Sequence, residues 1–513
     1  MQSLPSSTGA QTQVQSIVQN AVQPLTEYRP FGGARNNLSH PEYGPGTPEL
    51  NIAPLNFAPG TLDTPAGGPS PRTISNVISG GTDAKGDTGE TDDPVLSAWL
   101  YLMGQFVDHD LSLEETPPTN PAINVVIPAG DPSFPNGATI AMTRATRSAM
   151  TNTIVNTVDP HLNLSQVYGE TDALAASLRN ADGTLKSTGN GLYLPVVGSA
   201  FVTGDPRVME NPELTAITTL FMREHNWWVK TLRTQHPQWS GDQLYQLARA
   251  LTTAEYQNII YTAYLPHLIG PVLGPYRGYD PNVNSQVTQE FSTAAFRVGH
   301  SQVSDGEEGI NAAGAVVFTE SLANGFLNTA AQDEANGIDP LLNSLAHDYA
   351  QATDVFVVPT LRNMLIADLV GGDVDKIDLI AIDIQRERDI GLATLNQTRH
   401  ALGMQPYASF AALTPDPVLQ ADFQKVYGSI NNVDLFMGGL AEPHAPGAVV
   451  GPTFQAIIAD QFQRVRSGDR FFWQNQGFDP TTAKMIANTT LATLMARNTF
   501  LTNAHGDLFI AAP

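Results

Sequence analysis

Four stretches place charged side chains inside otherwise apolar helical patterns: "GQFVDHD" with Gln105, Asp108, His109 and Asp110; "GDPRVMENPEL" with Arg207 and Glu210; "FRVGHSQ" with Arg297 and His300; and "IDIQRERD" with Asp383, Arg386, Arg388 and Asp389. A histidine between two carboxylates can carry a proton near neutral pH, and an arginine is a fixed cation. Each stretch also has a purely structural reading. Asp108-His109-Asp110 reads as a solvated helix end, Arg207 as a surface ion pair, and Arg386 to Asp389 as a salt-bridged helix face. Other histidines call for no chemistry: His225 in "MREHNWW" is expected to be packed and hydrogen-bonded in the core, and His400, His444 and His505 to be solvated. No HExxH spacing suggests a catalytic zinc, and glycine motifs that cradle phosphate are absent.

The element that must carry the first stretch is a helix. Leu96, Trp99, Leu100, Met103, Phe106 and Val107 fall on one face of it, and Gln105, Asp108 and His109 on the other. Asp93-Pro94 predicts its N-cap and first turn, so the helix should run about four turns from there. Asn211-Pro212 predicts the start of a second helix, and "SGDQ" from Ser240 predicts a capping box for a third. Further helical patterns run through "TAAFRVGH", Ile377 to Gln385, and "TTAKMIANTTLATLMARN"; strand signals are few and short, as in "GLYLPV" and "GAVVF". Phe31 to Arg72 is crowded with Gly, Pro and Asn and should be an extended arm laid over a core.

The chain has 513 residues, 42% of them hydrophobic, with a formal charge of −24. That charge argues against nucleic acid and anionic membrane as partners. The absence of cysteine excludes disulfides, thiolate metal sites, thiolate-ligated haem and cysteine nucleophiles. No run approaches the roughly 18 apolar residues of a membrane span, and "MQSLPSSTGAQTQ" lacks the basic and apolar regions of a signal peptide. The fold class expected is mainly α: a single large helical domain with long loops and few short strands, residues 29–513, preceded by an N-terminal arm, residues 1–28.

In their order, these blocks resemble the peroxidase–cyclooxygenase superfamily, the animal-type haem peroxidases and their bacterial relatives. The resemblance runs from "YRPFGGARNN" through "PSPRTISN", "SQVYG" and "LFMREHN" to "DRFFWQNQGF", almost the entire chain. It implies a haem b cofactor, hydrogen peroxide as substrate, small anionic or aromatic donors, and an extracellular or secreted setting. By this resemblance His109 is the distal base, which removes a proton from peroxide and returns it to the leaving oxygen. Arg207 is the distal cation that stabilises charge as the O–O bond breaks, and Gln105 the residue that orients water or halide. His300 resembles the proximal iron ligand. Asp383 stands where myeloperoxidase-like members have asparagine, and a carboxylate partner should lower the haem potential. Arg297 and Arg386 match arginines that pair with the haem propionates.

The resemblance also makes Asp108 and Glu210 candidates for ester links to haem. Asp110 is implied as a calcium ligand, with Asp159, the His161 carbonyl, Asn163 and Ser165 from "DPHLNLSQVYG". The family more often has threonine at the first of these places and aspartate at the third. Asn211 stands where myeloperoxidase-like members carry the methionine whose sulfonium link raises oxidising power. Iodide, thiocyanate, bromide and phenols are therefore the expected donors, and chloride a poor one. Two other readings stay open. One is a fatty-acid dioxygenase of the same superfamily, disfavoured because Arg297 occupies the place of the cyclooxygenase radical tyrosine. The other is a silent adhesive or structural relative, which loss of His109, Arg207 or His300 would signal; all three are present.

Overall fold

In a computed structural model of the chain, which describes residues 22–33, 35–61, 63–326, 328–367, 374–501 and 506–512, helices dominate and frame one main apolar core. The helices that matter for the site are α1 (Trp99–Leu111), α2 (Pro212–Gln235), α3 (Gly241–Ile259), α4 (Leu379–Asp389) and α5 (Pro452–Ser467). Among the described residues the strands pair as six two-stranded antiparallel sheets, one of them formed by "GAVVF" residues pairing Val316–Ser321 with Gly306–Ile310. No helix among the described residues is long and apolar enough to cross a membrane.

Local chemistry explains the helix starts. The Asn211 side chain accepts the Leu214 N–H at 2.7 Å and Pro212 occupies the first turn, so α2 begins where an N-cap followed by proline dictates. Ser240 and Gln243 form a complete capping box at α3. Three aromatic rings then lock these helices together. Phe106 of α1 stacks on Phe221 of α2 with centroids 5.1 Å apart, and Tyr256 of α3 meets both edge-on.

Three expectations fail in informative ways. Asp93-Pro94 does not open α1, because Asp92–Ser97 is a strand paired with Tyr349–Gln351, and the helix starts only at Trp99. The Asp93 carboxylate still caps, but it accepts the Val95 and Leu96 N–H groups within that strand. "TAAFRVGH" is a tight 3-10 segment, Ala295–Ser301, because Ala294 leaves helical conformation at φ −132° and ψ −70°. "TTAKMIANTTLATLMARN" divides into Pro480–Ala487 and Leu491–Asn498, the second opened by a Thr490 capping box. Among its described residues the arm from Phe31 contains no helix until Pro71–Ile74. There fully buried Arg72 donates to Asp131 at 2.7 Å and to Asp378 at 2.7 Å. Asp378 also caps α4 by accepting the Ala381 N–H at 3.0 Å, so the arm fixes the start of the helix that carries Asp383.

Candidate active site

A cavity of about 480 Å³ lies between α1, the start of α2, the Ala295–Ser301 segment and α4. Gln105, Asp108 and His109 all reach it from α1, as their spacing of three and four residues requires. His300 and Arg297 reach it from the 3-10 segment, Asp383 and Arg386 from α4, and Glu210 and Asn211 from the start of α2. Phe296, Val298, Leu322, Phe326, Leu361 and Ile382 contribute apolar wall.

The two histidines are held differently. His300 Nδ1 lies 2.6 Å from Asp383 Oδ2, which fixes the ring by one nitrogen and leaves Nε2 for a ligand. His109 Nε2 stands 3.5 Å from Glu210 Oε2, while the Gln105 amide donates to the same oxygen at 3.2 Å. Gln105 is itself oriented by the Asn211 amide, which donates to Gln105 Oε1 at 2.9 Å. Burial would raise the Glu210 carboxyl, but the hydrogen bond and charge of His109 and the charge of Arg207 hold it below the ordinary range.

Arg207 is where the structure departs from expectation. Its guanidinium does not line the cavity; it is clamped by Asp205, with NH2 to Oδ2 at 2.7 Å and Nε to Oδ1 at 3.0 Å. It also donates to the carbonyls of His109 and Ser112, both at 3.2 Å. The physical reason is local. Asp205 caps the turn Pro206–Met209 two residues earlier, and the last carbonyls of α1 carry the negative end of the helix dipole. Arg207 therefore anchors the end of the helix that carries His109.

Arg297 stands near Asp108 at 3.7 Å and Glu114 at 3.8 Å, with its Nε bonded to the Ser292 carbonyl at 2.8 Å. Burial works against its charge, but the carboxylates of Asp108, Glu114, Asp383 and Glu210 overcome this and raise its pKa. Arg386 donates to Asp389 at 2.9 Å and to the Thr143 carbonyl at 3.0 Å. Asp108 accepts from the Ser112 hydroxyl at 3.2 Å.

Sequence reasoning missed Glu114, Tyr101 and Glu213 on the cavity wall. Tyr101 donates to Glu213 at 2.7 Å, and burial pushes the Glu213 carboxyl up to about 8. Tyr101 lies one turn before Gln105, and Glu213 is the first-turn acid of α2, so helical spacing could have found both. His225 is the core residue expected, 3.1 Å from the Tyr168 hydroxyl and 3.0 Å from the Gly183 carbonyl, with its pKa lowered to about 4 by burial. His400 and His444 are exposed, and His505 lies outside the described residues.

The residues expected to bind calcium do come together, but as a closed hydrogen-bond network. Asp110 Oδ1 accepts the Ser165 N–H at 2.7 Å and its hydroxyl at 2.8 Å, while Oδ2 accepts the N–H groups of Asn163 at 2.9 Å and Leu164 at 3.1 Å. Asp159 is taken by the His161 ring at 2.5 Å and the Asn163 amide at 2.6 Å. Among the described residues no three His, Asp or Glu side chains are grouped so that they could hold a metal ion.

The profile of animal haem peroxidases matches residues 28–509. The chain belongs to the animal haem peroxidase family. This peroxidase is 30% identical over 508 residues to Peroxinectin A of Dictyostelium discoideum, covering 90% of the chain and 93% of that protein. It is 31% identical to human eosinophil peroxidase over 80% of the chain and 65% of that protein. The solved structure of peroxidase A from Dictyostelium discoideum superposes with a TM-score of 0.82 at 27% identity, covering 95% of this chain and 100% of that one. A fatty acid alpha-dioxygenase of Arabidopsis thaliana superposes with a TM-score of 0.80 over 98% of the peroxidase and 88% of that chain, but at 18% identity this is a likeness of fold alone.

The cavity suits the haem that the family implies. One imidazole is oriented by Asp383, a second projects from another wall 3.5 Å from Glu210, apolar side chains line the sides, and two arginines stand at hand for carboxylates.

Proposed function

We propose that this peroxidase uses hydrogen peroxide to oxidise iodide, thiocyanate, bromide and phenols, and oxidises chloride poorly near neutral pH. The observation that carries the reading is the 2.6 Å contact between His300 and Asp383. A carboxylate that accepts the imidazole N–H makes the ring a stronger donor to iron and favours a low reduction potential. Haem, when bound, supplies the redox centre that accepts oxidising equivalents from peroxide and passes them to donors. His300 would hold its iron, and Arg297 and Arg386 would hold its carboxylates. His109 takes a proton from peroxide and returns it to the departing oxygen. Gln105, oriented by Asn211, positions water or a small anion beside His109. Arg207 acts through the backbone, fixing the end of α1 so that the His109 ring keeps its place.

Asn211 supports the same donor range. It both caps α2 and anchors Gln105, and it offers no sulfur for a sulfonium link. A steady-state survey at neutral pH should show turnover with iodide, thiocyanate and phenols and little hypochlorous acid from chloride. Efficient hypochlorous acid formation would overturn the proposed potential. Asn211→Met is a poor gain-of-function test, because it removes a cap worth about 1 kcal/mol and frees Gln105.

Asp108 and Glu210 both line the cavity, and we assign them to ester links with bound haem: each link would replace one methyl C–H bond by C–O, with one hydrogen peroxide taking the two electrons and leaving, with the displaced hydrogens, as two waters. After cycles with peroxide, a fraction of the haem should resist acid–organic extraction, and Asp108→Ala/Glu210→Ala should release all of it. Complete extraction from the cycled wild type would show that neither carboxylate is a tether.

A further inference from the structure

We infer that this chain holds the end of α1 without calcium, and that the His161 imidazole supplies the cross-link that a metal would otherwise make. Calcium takes about six to eight oxygen ligands with free lone pairs. Here the lone pairs of Asp110 are already used. An ionised carboxylate has roughly four acceptor sites, and Asp110 receives four hydrogen bonds, three from consecutive backbone N–H groups and one from the Ser165 hydroxyl. The backbone is bent to deliver them: Leu164 adopts φ 59°, a left-handed conformation unusual for a leucine, so that the loop wraps the carboxylate as a nest wraps an anion.

The second carboxylate is engaged once on each oxygen. Asp159 faces His161 Nδ1 at 2.5 Å with one oxygen and the Asn163 Nδ2 group at 2.6 Å with the other. Asn163 therefore presents a donor toward Asp159, where a calcium site needs an acceptor. The other ring nitrogen of His161 lies 2.6 Å from the Ser285 hydroxyl, and the ring is fully buried. One side chain thus ties the loop that wraps Asp110 to the separate segment at Ser285. Glu170 Oε2, buried nearby without a hydrogen-bond partner, is a single oxygen and does not make a coordination sphere.

The experiment uses the full chain purified without added calcium. Elemental analysis after desalting should find far less than one calcium per chain, and the melting temperature should be the same in millimolar EGTA as in millimolar calcium chloride. One calcium retained per chain, or a melting temperature that falls in EGTA, would overturn the inference. His161→Leu should melt several degrees lower than wild type in either buffer, and the milder His161→Gln by less. A His161→Leu protein as stable as wild type would deny the ring its structural role. These readouts do not depend on haem or on donor, so they stand apart from the test of the proposed function.

Discussion

His300→Ala is expected to yield a folded protein that binds little or no haem. The imidazole enters the cavity from a short 3-10 segment and is oriented by Asp383 at 2.6 Å. The chain has no cysteine. The two cavity tyrosines stand at α1: Tyr101 belongs to it, and the Tyr264 hydroxyl packs against Gly104. Haem content measured as the pyridine complex, with and without added imidazole, checks the assignment. Addition of imidazole should restore part of the haem binding. A His300→Ala protein with wild-type haem content and activity would refute the proposal that His300 holds the haem iron.

His109→Ala acts at a different step. It should retain haem but slow the spectral change that follows peroxide addition by about 10² to 10⁴, the usual size of a lost acid–base group. Stopped-flow absorbance at several peroxide concentrations separates this from weakened peroxide binding. The loss should be second-order, visible in the dependence on peroxide, and it should shrink when a small general base is added. An unchanged rate would mean that the proton moves by another route.

These two residues show how unevenly the site could be read. Gln105, Asp108 and His109 were legible because helical spacing alone puts them on one face, and the structure needs only to provide a cavity there. Asn211 and Ser240 were legible because a cap is a contact with the next few residues. The start of α1 was not, since the strand at Asp92–Ser97 forms by pairing with Tyr349–Gln351, a partner that lies far along the chain. Arg207 was visible as a cation but not in its direction, because its ligands include two backbone carbonyls, which leave no mark in residue types. The hydrogen bonds of the loop after Asp159 were hidden for a similar reason, since the donors that reach its carboxylates are backbone N–H groups, an amide and a histidine ring that also meets Ser285. Local contacts were therefore recoverable from sequence, and contacts to the backbone or to distant segments were not.

The most direct test of the central claim is the absorption spectrum of the purified, haem-loaded protein before and after one equivalent of hydrogen peroxide. The account predicts a Soret band with stoichiometric haem, a rapid shift on peroxide addition, and a return to the starting spectrum when iodide is supplied. A protein that takes up no haem, or whose Soret band stays unmoved by peroxide, would contradict it.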